Sequence, residues 1–209
     1  MLPCDHRESP RIAAARAVLV LMATLSVAAC QPAVAPEREP ESVPVQNQAD
    51  VVVARGEYLV NILACNDCHT PYQMTAEGPR PDMSRMLSGH PEALQMPSPP
   101  TLLEGPWLWV GAGSNTAFAG PWGVSYATNL TPDQNTGLGI WTEDLFRQAM
   151  RTGRHMGTSR PIMPPMPWPA YGQMTDDDLR AVWAYLRSVP ALVNHVPEGM
   201  PAEPPAQAP

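Results

Sequence analysis

The chain has no lysine: all 13 of its basic residues are arginine, and they neither cluster nor alternate with aromatics. That removes the basic stripe on which nucleic-acid binding depends, so no nucleic-acid partner is expected. Phenylalanine is nearly absent, at 2 residues, and aromatics make up 6% of the 209 residues. Set against 27 prolines, this argues for a small core wrapped by long, Pro-punctuated loops rather than for a sheet-rich fold. No internal repeat is present. The main apolar run, Ala17 to Ala29, is too short to cross a bilayer comfortably. There are 4 cysteines, and none follows Cys68. A zinc site would need a second ligand pair at metal spacing, which is lacking. No pair is left over for a structural disulfide.

What the chain does have is Cys65-Asn66-Asp67-Cys68-His69. The pattern C-x-x-C-H is the attachment site of a c-type haem. Two thiols one helical turn apart can add across two neighbouring vinyl groups. The adjacent histidine then supplies the proximal axial nitrogen. One motif implies one covalent haem c, with Cys65 and Cys68 as thioethers and His69 on the iron. A thioredoxin-like reading of the Cys pair would need a βαβ context, which the sequence does not offer. The haem would add apolar bulk that this thin core needs.

The N-terminus carries an export pattern. Arg7, Arg11 and Arg16 precede the apolar run, which ends Val27-Ala28-Ala29-Cys30. This resembles a bacterial lipobox, so residues 1–29 are expected to be a lipoprotein signal peptide and Cys30 the lipidated new N-terminus. Residues 31–49 hold Pro32, Pro36, Pro40 and Pro44 among glutamates, and with Cys30 they read as a Pro-rich disordered tether over 30–49. Residues 50–196 form the expected haem domain, and 197–209 a second Pro-rich tail. The localisation this implies is the periplasmic side of a bacterial membrane, held there by the lipid anchor.

Three helices are predicted in the haem domain. Asp50 can cap the first, from Val51 to about Ala64, with Gly56 offering close helix approach. Thr142 caps the second, whose first turn holds Glu143 and Asp144 and which Gly153 ends. Thr175 opens the third, where Leu179, Val182, Trp183 and Leu186 recur at helical spacing until Pro190. The long segment after the haem motif has no clear period and is broken by Pro and Gly. Its aromatics, Trp107, Trp109, Phe118, Trp122 and Tyr126, suggest packing on the haem edge.

With these elements placed, the chain resembles a class I cytochrome c. More narrowly, Asn129-Leu130-Thr131-Pro132-Asp133, Thr136-Gly137-Leu138-Gly139, Met166-Pro167-Trp168-Pro169-Ala170-Tyr171 and Ala184-Tyr185-Leu186-Arg187 resemble the cytochrome c subunits of bacterial alcohol and sugar dehydrogenases. Those subunits carry several haem motifs, and this chain carries one. The resemblance implies an all-α fold, three main helices around one haem, with the Pro/Gly-rich segment as an insertion. It also implies that the first and last helices cross at Gly56 against Tyr185 or Trp183.

A low-spin carrier needs a sixth ligand, and a Met thioether is one type. Met163 and Met166 lie in a segment stiffened by Pro161, Pro164, Pro165 and Pro167, since each proline fixes φ. The resemblance favours Met166, which is followed by Pro and an aromatic; Met163 is the alternative. His90, His155 and His195 are the histidine alternatives. The His69 ring N–H should donate to a carbonyl, and the resemblance points to Pro79, with Pro71 as runner-up. Arg80, Trp122, Tyr126 and Arg160 are candidates for the haem propionates.

The function expected is that of an electron carrier rather than an enzyme. One electron at a time would pass between redox partner proteins: a dehydrogenase, an oxidase or another cytochrome. The alternatives are an electron-accepting subunit permanently docked on a dehydrogenase or oxidase, and a haem protein that binds or senses small ligands.

Overall fold

A computed structural model describes residues 47–101 and 105–202. Cys30, the signal peptide and most of the tether therefore lie outside the described residues. The order is α1 (Gln48–Ile62), α2 (Cys65–His69), β1 (Tyr72–Thr75), β2 (Gly78–Pro81), β3 (Val110–Gly111), β4 (Ala117–Gly120), β5 (Gly123–Tyr126), α3 (Glu143–Thr152), α4 (Trp168–Tyr171), α5 (Asp176–Ser188) and β6 (Met200–Pro201), with 3-10 turns at Met83–Arg85 and His155–Gly157.

Local chemistry explains the helix ends. Asn47 caps α1, its side chain accepting from the Ala49 N–H at 3.2 Å, so the helix starts before Asp50, which sits in the first turn instead. Thr142 caps α3 through the Leu145 N–H (3.2 Å), and Gly153 closes it in the left-handed region at φ 65°. Thr175 caps α5 through the Asp178 N–H (3.1 Å).

The core lies where α1 crosses α5. α1 buries Gly56, Leu59 and Val60. α5 buries Leu179, Val182, Trp183 and Leu186, the stripe read from the sequence. A side chain at Gly56 would collide with the Ala181 carbonyl and press on Tyr185, so the crossing is as close as backbone allows. α3 adds Phe146, whose ring lies 5.6 Å from that of Trp183.

The all-α expectation is corrected. The structure is mixed, with five helices and two sheets among the described residues. β1 and β2 form an antiparallel hairpin, Thr75 opposite Gly78. The second sheet is antiparallel in the order β3-β4-β5-β6. Gly120 opposes Gly123 across the tight Pro121-Trp122 connection, and Met200 opposes Val124. β6 thus falls inside the segment read as a tail. All six strands are two to four residues long, too short to print the alternation that reveals a strand. Their glycines and prolines read as loop, and pairing rather than propensity makes them sheet.

The aromatics of this region divide. Phe118 is buried, with Trp109 edge-on to it at 5.9 Å. Tyr126 packs on His90 at 4.8 Å. Trp107 is 79% exposed. No helix of the described residues is long and apolar enough to cross a membrane.

Candidate haem-binding site

The C-x-x-C-H motif folds as the single-turn helix α2, entered through Ala64 in the left-handed region (φ 59°). That turn lets the chain break from α1 and restart almost at once. Cys65 and Cys68 are half-buried and His69 is buried. No disulfide joins Cys65 and Cys68. Burial pushes the Cys65 thiol up to about 12 and the Cys68 thiol upward as well. Among the described residues no cluster of three or more His, Cys, Asp or Glu side chains is assembled to hold a metal ion.

His69 is oriented by one contact. Its Nδ1 lies 2.8 Å from the carbonyl of Thr128. A carbonyl can only accept, so Nδ1 carries the proton and Nε2 keeps its lone pair. No described residue hydrogen-bonds Nε2. Burial lowers the pKa of His69, against the opposing pull of the Thr128 carbonyl, and so favours the neutral ring. A neutral imidazole, its far nitrogen fixed and its near nitrogen unpaired, fits an axial ligand. With two thiols on the preceding turn, the donor set fits a covalent haem.

The carbonyl on His69 thus belongs to Thr128, and Pro79 is corrected as its source. Pro79 sits exposed in β2, opposite Met74. The runner-up, Pro71, is buried but its carbonyl accepts from the Asp82 N–H instead. Sequence reasoning missed Thr128 because a backbone carbonyl has no side-chain signature. The signal available was its place immediately before the Asn129-Leu130-Thr131-Pro132-Asp133 loop. That loop is stitched by Asn129, whose Oδ1 accepts from Thr131 N–H (2.9 Å) and whose Nδ2 donates to Leu192 O (2.8 Å).

The segment Leu87–His90 holds Thr128 in place. Gly89 N–H donates to His69 O and His90 N–H to Ala127 O, both at 2.8 Å. A side chain on Gly89 (φ 79°) would meet the Thr128 carbonyl carbon at 2.6 Å. His90 itself is fully buried, with Nε2 2.9 Å from Leu94 O and Nδ1 2.9 Å from Thr116 Oγ1. Both nitrogens are engaged, so it is not available to an iron. His155 lies edge-on to Trp141 at 4.9 Å, and His195 is exposed.

Met163 and Met166 are both partly buried. The Met163 methyl lies where a side chain at Gly199 would go, beside β6. Met166 leads directly into α4, whose Tyr171 hydroxyl donates to Leu63 O at 2.5 Å. Leu63 is two residues before Cys65, so α4 docks on the entry to α2. Burial raises the Tyr171 phenol to about 12, helped by the nearby Cys65 and Cys68. Of the propionate candidates, Arg80 and Arg160 are exposed, while Trp122 and Tyr126 are half-buried on the sheet.

No family model matches the chain. It is 30% identical over 136 residues to a gluconate 2-dehydrogenase cytochrome c subunit of Pantoea cypripedii, covering 65% of this chain and 23% of that one. It is 28% identical over 157 residues to the cytochrome c subunit of a quinone-type alcohol dehydrogenase of Gluconobacter oxydans, covering 73% and 25%. Over 70 residues it is 36% identical to a fructose dehydrogenase cytochrome subunit of Gluconobacter japonicus, covering 34% and 14%. The chain spans about a quarter of the length of the first two relatives. It is a relative of cytochrome c subunits of bacterial dehydrogenases.

Proposed function

We propose that this chain is a single-haem c-type cytochrome that passes one electron at a time between redox partner proteins, without substrate chemistry of its own. The observation that carries the reading is the His69–Thr128 hydrogen bond, which frees the other ring nitrogen one residue after a C-x-x-C pair. Cys65 and Cys68 would hold the haem through thioethers. Their high thiol pKa values keep them as S–H, the form whose proton and sulfur add together across a vinyl bond. His69 and Met166 would hold the iron. Docking of Tyr171 on Leu63 supports Met166, because it brings the end of that short segment to the attachment helix. The haem, when bound, supplies a one-electron ferric–ferrous couple. The protein would keep the iron six-coordinate and partly shielded from water. Cys30 would be lipidated, and residues 30–49 would tether the domain to the outer face of a bacterial membrane.

The similarity to dehydrogenase subunits supports a second reading, in which the chain stays docked on a dehydrogenase and receives its electrons. Co-purification from membranes separates a stable complex from a mobile carrier.

The test of the central proposal is haem linkage and count. Expressed where haem attachment operates, the protein should carry one haem per chain by pyridine haemochrome and keep it on a denaturing gel. Replacing Cys65 and Cys68 together by Ala should abolish gel-stable haem. Two haems per chain, or haem lost to acid-acetone extraction, would overturn the reading.

A further inference from the structure

We propose that Ser125 is a positioning residue for the sulfur side of the iron. The proposal deepens the reading above and rests on it. Ser125 lies in β5, is 7% exposed, and is flanked by paired strands on both sides. Its hydroxyl oxygen lies 2.5 Å from the carbonyl of Pro164 and 3.3 Å from Trp122 Nε1. An indole N–H only donates and a carbonyl only accepts. The relay therefore has one direction: Trp122 donates to Ser125, and Ser125 donates to Pro164.

Pro164 lies between Met163 and Met166, in a run with prolines at 161, 164, 165 and 167. Proline has no N–H, so this segment is short of donors with which to fasten itself. Among the described residues, the Ser125 bond is the one hydrogen bond that reaches the backbone of residues 163–166 from elsewhere in the fold. Three residues further along the same stretch, Thr128 accepts from His69. A single run of backbone, 125–128, thus touches the support of both axial groups. It is itself fastened by Ala127 N–H to Thr116 O and by His90 N–H to Ala127 O, each 2.8 Å. Without the Ser125 hydroxyl, the Pro164 carbonyl loses its donor and the methionine segment its tie to that frame.

The experiment uses the full haem-loaded chain with Ser125→Ala, Ser125→Thr and Met166→Ala. In Ser125→Ala the ferrous form should take up carbon monoxide roughly tenfold more readily, the size of shift that goes with one buried hydrogen bond. The weak red absorption of the ferric iron–thioether bond should yield to lower imidazole concentrations, and the reduction potential should fall. Ser125→Thr, which keeps the hydroxyl, should restore all three. A folded Ser125→Ala protein with unchanged carbon monoxide uptake, absorption and potential overturns the proposal. If the alanine variant does not fold, Ser125→Cys, a weak donor of similar size, carries the same test, and unchanged behaviour again overturns it. Met166→Ala separates the two levels. If it keeps the thioether absorption, the ligand reading fails and this proposal with it. If it loses the absorption while Ser125→Ala behaves as the unmodified protein, this proposal fails alone.

Discussion

His90 is a fully buried histidine with a donor and an acceptor on its two nitrogens, so it is held neutral. Burial lowers its pKa, opposed by the Leu94 carbonyl that favours the charged form. The sign of the pH effect follows. The unfolded ring takes up a proton below about pH 6.5, while the folded ring resists. The stabilisation is complete above that pH and is lost as pH falls toward the depressed folded value. Stability should therefore decline between pH 7 and pH 5, by up to about 1.4 kcal/mol per unit. His155, also shifted down by burial and by Arg160, adds in the same direction. His90→Asn should cost about 1–3 kcal/mol at pH 7 and flatten the decline. Denaturant midpoints at the two pH values measure this, and an equally steep decline in the variant counts against it. At this scale a side chain leaves a mark in the sequence, as the C-x-x-C-H spacing of Cys65, Cys68 and His69 does. The sequence was silent on Thr128, a backbone acceptor 59 residues from its donor, and on the buried hydroxyl of Ser125.

Among the elements, helices announced themselves and strands did not. Thr142 and Thr175 were legible as caps, and the Leu179–Leu186 stripe as the face of α5, because capping and a 3.6-residue period are local signals. Strands of two to four residues rich in Gly and Pro carry no such signal, and the sheet depends on partners as distant as Val124 and Met200. The closest helix contact is also the most sensitive. Gly56→Val would drive side-chain carbons into the Ala181 carbonyl. Overpacking typically costs about 1–3 kcal/mol, and rigid backbone on the far side should place this variant at or above the upper end. Thermal and denaturant unfolding should show the loss. A variant as stable as the parent would mean that α1 and α5 do not cross here.

For the whole molecule, the formal net charge is −7, while the ion pairs among the described residues lie at the surface, three within single turns and two between helices. Arg55–Asp178 and Arg151–Asp176 span α1–α5 and α3–α5, at 2.9 and 2.6 Å. Exposed pairs of this kind contribute little, so folding rests on the helix core and, by the proposal above, on the haem. The proposed lipid anchor would be independent of both. Cys30→Ser should move the protein from the membrane fraction to the soluble periplasmic fraction with its haem intact. A wild-type protein that is already soluble and begins at an unmodified Cys30 would falsify the lipid anchor.

The crossing at Gly56 also has a consequence in time. α1 leaves the ribosome first, and the surface that must cover it, Ala181 and Tyr185 of α5, follows roughly 120 residues later, a lag of about ten seconds at ordinary rates of synthesis. During that interval the Gly56 face of α1 lacks the backbone it packs on. Until α5 is available the crossing cannot form, so a chain that stops short of residues 176–188 leaves the Gly56 face of α1 uncovered.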